Sequence, residues 1–230
     1  MQETAQYKRW RLHADHQPAR KRSTLKQLLL DIQPPAAPTL ENFVVGRNAE
    51  ALFQLKDTVQ RDGNARFIYL WGADGCGKSH LITACNALAS QHGLNMICVD
   101  DVHLLSDEEQ ISLFDIYNQL RESGGSLIAS GQAAPGQMGL RDDLATRLAW
   151  GLAYQLHPLS DEEKAQALKI HAEDRGMKLP DEVLDYCLRH LRRDMPNLIA
   201  TIDALDEWSL TDKRAVTLPL LKQLLQLSPS

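Results

Sequence analysis

The residues whose types and spacing most plainly carry chemistry lie at 72–79. Gly72, Gly75, Gly77, Lys78 and Ser79 stand in the run GADGCGKS, which matches Gly-x-x-x-x-Gly-Lys-Ser/Thr, the phosphate-binding loop pattern. A polyphosphate needs many hydrogen-bond donors in a small space. Glycines let the main chain turn so that successive amides face inward, and Lys78 brings a point charge to the β- and γ-phosphates. The Ser79 hydroxyl can ligate Mg²⁺, and a helix opening at this point adds its positive N-terminal dipole. Downstream, NMICVDD (95–101) is an apolar run ending in two acids. A nucleotide-bound metal is held by an acid at a strand's C-terminal end, beside the phosphate loop. Asp100 is therefore expected on the metal side, with Asp101 placed to orient an attacking water.

These residues need a scaffold of alternating elements. FIYLW (67–71) reads as a buried strand, followed by the glycine turn and a helix from about Lys78 to Gln91. Strands are also expected at 95–101, at SLIAS (126–130) and at Leu152–Leu156. Ser106 and Glu109 form a capping box, and Leu113, Phe114, Tyr117 and Leu120 share one face of the helix behind it. This pattern predicts an α/β fold, a parallel sheet with helices on both faces. From 159 onward every periodic segment is helical. A second capping box runs from Ser160 to Glu163, and Pro180, Pro196 and Pro219 fall in first helical turns. The expected organisation is a basic extension (1–24), a short apolar burst with a proline-rich linker (25–40), a nucleotide-binding domain (41–158) and a small all-helical lid (159–230).

The composition, 43% hydrophobic and 24% charged, is that of a globular protein. No apolar run approaches a membrane span and no secretory signal is visible, so a cytoplasmic location is expected. Cys76, Cys85, Cys98 and Cys187 show no C-x-x-C spacing, and the histidines show no H-E-x-x-H, which leaves free thiols and no zinc site. The net charge of −5 conceals an imbalance, since residues 1–24 carry six basic side chains against two acidic ones. A net acidic body argues against a dedicated DNA binder, so contact with DNA is expected to be indirect.

Beyond the phosphate loop, ENFVVGRNAE (41–50), CVDDVHLL (98–105), LATRLAWG (144–151), PLSDEEKAQAL (158–168) and RRDMPNLIATIDALD (192–206) follow in order. Together they resemble the DnaA-related AAA+ family over about residues 25–228, and within it the regulators that inactivate the initiator. That resemblance implies that Phe43, Val45, Gly46, Arg47 and Asn48 line an adenine pocket, with Gly72, Gly75, Cys76, Gly77, Lys78, Ser79 and His80 around the phosphates. It also implies Ser130 and Gln132 at the sensor-1 strand end, and Arg147 as an arginine finger acting in the nucleotide site of a neighbouring subunit. Gln27, Leu28, Leu30 and Ile32 in KQLLLDI resemble the peptide by which bacterial replication proteins dock on the DNA sliding clamp, the polymerase III beta subunit.

Three features depart from the family. Only His92–Asn95 separates the first motif helix from the second motif strand, too few residues for the strand and helix usually inserted there. This should leave 95–99 at a sheet edge, covered by another segment or subunit. Pro196 stands where the lid's sensor-2 arginine is expected, with Arg192 and Arg193 close by. Gln132 stands where an acid is commoner. The expected protein binds ADP or ATP with Mg²⁺ and turns it over weakly or not at all. It acts mainly as a clamp-tethered activator of ATP hydrolysis by DnaA, and a homo-oligomer is compatible with that role. The sequence ends soon after the lid, so no DNA-binding domain is expected, which favours a regulator over an initiator. The alternative is an adaptor or loader acting on helicase or DNA without the clamp.

Overall fold

Along β1 (Phe67–Trp71) the side chains alternate between two cores. Ile68 and Leu70 enter one and Tyr69 the other, as the two-residue period of a strand requires. The strand is apolar on both faces because helices cover both. The computed structural model describes residues 36–60 and 67–227. The clamp-type peptide Gln27–Ile32 and the basic extension lie outside them.

The described chain forms two units, Ala37–Pro158 and the segment from Leu159 onward. In the first, β1, β2 (Met96–Val99), β3 (Ser126–Gly131) and β4 (Leu152–Gln155) form a parallel sheet in the order β2-β3-β1-β4. Ile68 stands opposite Ile128 on one side and Leu152 on the other. Helices α1 (Ala49–Gln60) and α2 (Lys78–His92) bury Leu55, Leu81, Ile82 and Cys85 against one face. Helices α3 (Asp107–Ser123) and α4 (Asp142–Trp150) bury Leu113, Ile116, Leu120, Leu144 and Leu148 against the other. No motif marks α1; its signal is the helical spacing of the buried Ala51, Leu55 and Thr58.

The short connection places β2 at the end of the strand order, and no described strand flanks its outer side. Met96, Ile97 and Val99 are nonetheless buried, Met96 in the core with α2, Ile97 and Val99 in the core with α3. Cover for these faces comes from the chain's own helices. The strand is shorter than the expected 95–101, spanning only the apolar Met96–Val99. Asp101 takes a left-handed conformation (φ 47°) and starts a 3-10 turn at Val102–Leu104.

The second unit contains α5 (Asp161–Asp174), α6 (Asp181–His190), α7 (Met195–Asp212) and α8 (Leu218–Leu227) around Leu168, Val183, Leu198, Ile202, Leu205 and Leu221. Both capping boxes are formed, Ser106 with Glu109 and Ser160 with Glu163. Pro196 opens α7, whereas Pro180 is the residue capping α6 rather than a member of its first turn. On α7, Asp203 lies 2.6 Å from His171 and Asp206 accepts from Arg175 at 3.2 Å. No described helix is long and apolar enough to cross a membrane.

Candidate functional site

The phosphate loop leaves the end of β1 and closes on the start of α2. Gly72, Gly75 and Gly77 have φ of 153°, 77° and 100°, values that L side chains rarely adopt. At Gly77 space is limiting too, since a Cβ there would lie 2.6 Å from the Phe43 ring. The loop is a cradle that side chains would fill. Lys78 is buried, and its ammonium donates to the carbonyls of Gly72 at 2.9 Å and Ala73 at 3.3 Å. These contacts hold the charge over the concave side of the loop, where a phosphate oxygen would replace them. Cys76 is buried in the same turn, and burial raises its thiol pKa, so it serves through its backbone and not as a nucleophile. Ser79 is exposed at the first turn of α2.

The two acids diverge in role. Asp100 accepts a short hydrogen bond from Ser130 Oγ, and the Asp101 amide donates to Asp100 Oδ1 at 3.1 Å and to Ser130 Oγ at 3.0 Å. Ser130 is wholly buried at the end of β3. It pins the ends of β2 and β3 together and holds Asp100, while Gln132 is exposed just beyond. The Asp101 carboxyl is raised above its ordinary pKa by burial, then by the charge of Asp100, with His103 and Lys78 opposing. Its Oδ1 lies 3.9 Å from His103 Nδ1, a buried nitrogen without a hydrogen-bond partner among the described residues. Ser79 and Asp100 offer a hydroxyl and a carboxylate. These hard oxygen donors suit Mg²⁺, which keeps several waters and takes phosphate oxygens for its remaining positions.

Phe43 and His80 meet as tilted rings, 5.5 Å between centroids, and His80 Nε2 lies 2.9 Å from the Thr39 carbonyl. They join the segment before α1 to the helix after the phosphate loop. Val45 is half-buried and Arg47 exposed beside them. Asn48, expected in the same wall, is tied to the chain just beyond β4. It is buried, donates to the His157 carbonyl at 2.9 Å and accepts from the His157 amide at 2.8 Å. Its amide is committed to clasping the chain beyond β4. The partner, His157, carries no motif, so the clasp is invisible until the fold brings the two together.

Arg147 is not brought to the phosphate loop. Its helix, α4, ends at Trp150, and a Cβ on the next residue, Gly151, would strike the Phe67 carbonyl. Phe67 begins β1, whereas the loop follows its last residue, about 16 Å away at the rise of a strand. The Arg147 guanidinium lies over the rings of Trp150 at 4.5 Å, Phe114 at 5.6 Å and Tyr117 at 5.8 Å. Tyr117 in turn stacks on Phe67. Arg147 therefore sits beside the opposite end of β1 from the loop that it would serve in cis. In the second unit, Pro196 offers no charge, and exposed Arg193 lies 3.6 Å from Asp161.

A parallel sheet with a phosphate loop after β1 and paired acids after β2, one strand beyond its neighbour β3, followed by a helical unit, defines an AAA+ protein. Residues 88–155 match the model of the bacterial DnaA ATPase domain, and 161–225 match the model of the Hda lid domain. The chain belongs to the DnaA-related AAA+ proteins and is Hda-like. Its fold is similar to domain III of the replication initiation protein DnaA from Thermotoga maritima (22% identity, TM-score 0.63, covering 89% of this chain and 100% of that one). It is also similar to AMPPCP-bound DnaA from Aquifex aeolicus (22%, TM-score 0.61, 78% and 71%). Thermotoga maritima RuvB is a more distant likeness (14%, TM-score 0.51, 83% and 72%). At these identities the solved structures show the fold.

Proposed function

We propose that this protein is a regulator of replication initiation that binds adenine nucleotide with Mg²⁺, docks on the sliding clamp and stimulates ATP hydrolysis by DnaA. The observation that carries the reading is the separation just described. The chain has a formed phosphate loop, and its finger-type arginine stands at the other end of β1 with no carboxylate partner among the described residues. An arginine so placed serves a neighbour's nucleotide. The AMPPCP bound by the DnaA relatives supports an adenine nucleotide in this loop. Lys78 would bind the β- and γ-phosphates, and Ser79 with Asp100 would hold Mg²⁺. Asp101 would orient water, and Val45, Arg47 and His80 would border the nucleotide. Pro196 in place of a sensor-2 arginine leaves the lid without that charge on the γ-phosphate, so intrinsic turnover is weak. Gln27, Leu28, Leu30 and Ile32 would form the clamp anchor.

The test is single-turnover hydrolysis of ATP preloaded on DnaA, with and without this protein, on DNA carrying the clamp and on bare DNA. Stimulation that requires the clamp supports the proposal. No stimulation on either DNA overturns it. Equal stimulation on both removes the clamp from the account and favours the adaptor reading.

A further inference from the structure

Arg147 is held without being spent. The guanidinium is enclosed by three aromatic rings from two helices. Phe114 and Tyr117 are three residues apart on α3, and Trp150 is three residues after Arg147 on α4. The three-residue spacing puts each pair on one helix face, so the helices present a floor and a wall to the same charge. Nη1 is buried and has no hydrogen-bond partner among the described residues. A buried donor without an acceptor is unfavourable, and the ring faces offset this by attracting the cation through their quadrupoles. Tyr117 is buried, whereas Trp150, the nearest ring, is 65% exposed. The floor belongs to the core and the wall faces outward.

We propose that Trp150 is a positioning residue for Arg147, the outer wall of an aromatic cradle that parks the finger until a partner's nucleotide draws it out. This rests on the trans role proposed for Arg147. A carboxylate partner would compete with phosphate for the same donors and would have to be stripped away. An aromatic face fixes the charge but satisfies no N–H, so the donors remain available for charge-assisted bonds to phosphate oxygens. The cradle limits where the side chain rests and therefore the path by which it leaves. Removing the ring misplaces the finger without weakening the docking of the two proteins.

Two measurements test this on the full chain. The first needs no partner. Arg147→Ala should change the tryptophan emission of the wild-type chain and leave that of a Trp150→Phe chain unaltered. An unchanged wild-type spectrum overturns the cradle whatever Arg147 does elsewhere. The second is DnaA-bound ATP hydrolysis against concentration of this protein, with clamp on DNA. Trp150→Leu should lower the maximal stimulated rate about tenfold with little change in the half-saturating concentration, and Trp150→Phe should retain most of the rate because it keeps a ring. If Trp150→Phe is as slow as Trp150→Leu, or if the loss lies wholly in half-saturation, Trp150 is a docking contact and the proposal fails. Should Trp150→Leu not fold, Trp150→Phe against wild type decides alone, a loss near tenfold refuting the cradle. If Arg147→Ala stimulates normally while its emission effect is present, the cradle stands and the trans role falls.

Discussion

Asp101 and Asp100 are adjacent in the chain and differ in what holds them. Ser130 and a backbone amide bind Asp100, whereas Asp101 is turned by its left-handed backbone toward a half-buried place near Asp100 and His103. Its carboxyl pKa is raised above 3.8, so the folded chain binds that proton more tightly than the unfolded chain does. Its contribution favours folding at low pH and turns against it as pH rises through the folded pKa. Asp101→Asn, which tolerates the positive φ, should raise the melting temperature at neutral pH, and the gain should shrink toward about pH 4. A gain independent of pH would mean that charge is not the cause. Lys78→Ala should abolish most ADP and ATP binding in a calorimetric titration, since no other described cation bonds to the loop carbonyls. A wild-type chain that takes up no nucleotide would refute that role. Motif spacing made Lys78, Ser79, Asp100 and Asp101 legible, because such chemistry demands fixed residue types at fixed offsets. Ser130 was legible as a strand-end position, but not as the anchor of Asp100, since that contact joins residues thirty apart.

At the scale of elements, the strands and most helices follow from periodicity and caps, and the parallel arrangement follows from their alternation. What periodicity does not carry is the meeting of distant segments. Asn48, at the entrance to α1, clasps His157 through two hydrogen bonds. Removing it leaves a backbone donor and an acceptor without their partner, so Asn48→Ala should cost about 1–3 kcal/mol, read by denaturant unfolding. A change below about 0.5 kcal/mol, within the range of ordinary surface substitutions, would show that water replaces the clasp freely. The aromatic floor under Arg147 was half legible. Phe114 and Tyr117 share a helix face in the sequence, but only the packing of α4 on α3 shows that the face receives a cation and not apolar side chains alone.

The whole molecule, on the proposed function, joins a nucleotide-binding unit, a helical lid and a peptide for the clamp. Replacing Gln27 and Leu30 with alanine should abolish clamp binding and leave the thermal melt unchanged; equal affinity before and after would remove the anchor. The central claim is that Arg147 works on a neighbour's nucleotide. A finger supplied by a partner is worth about 10³–10⁵ in rate, and a guanidinium fork cannot be replaced by a point charge. The decisive measurement is single-turnover hydrolysis of ATP preloaded on DnaA, with clamp on DNA, comparing wild type with Arg147→Ala and Arg147→Lys. Arg147→Ala should keep its fold, its own nucleotide and the clamp yet lose nearly all stimulation, and Arg147→Lys should recover little. Stimulation by Arg147→Ala equal to that of wild type would contradict it.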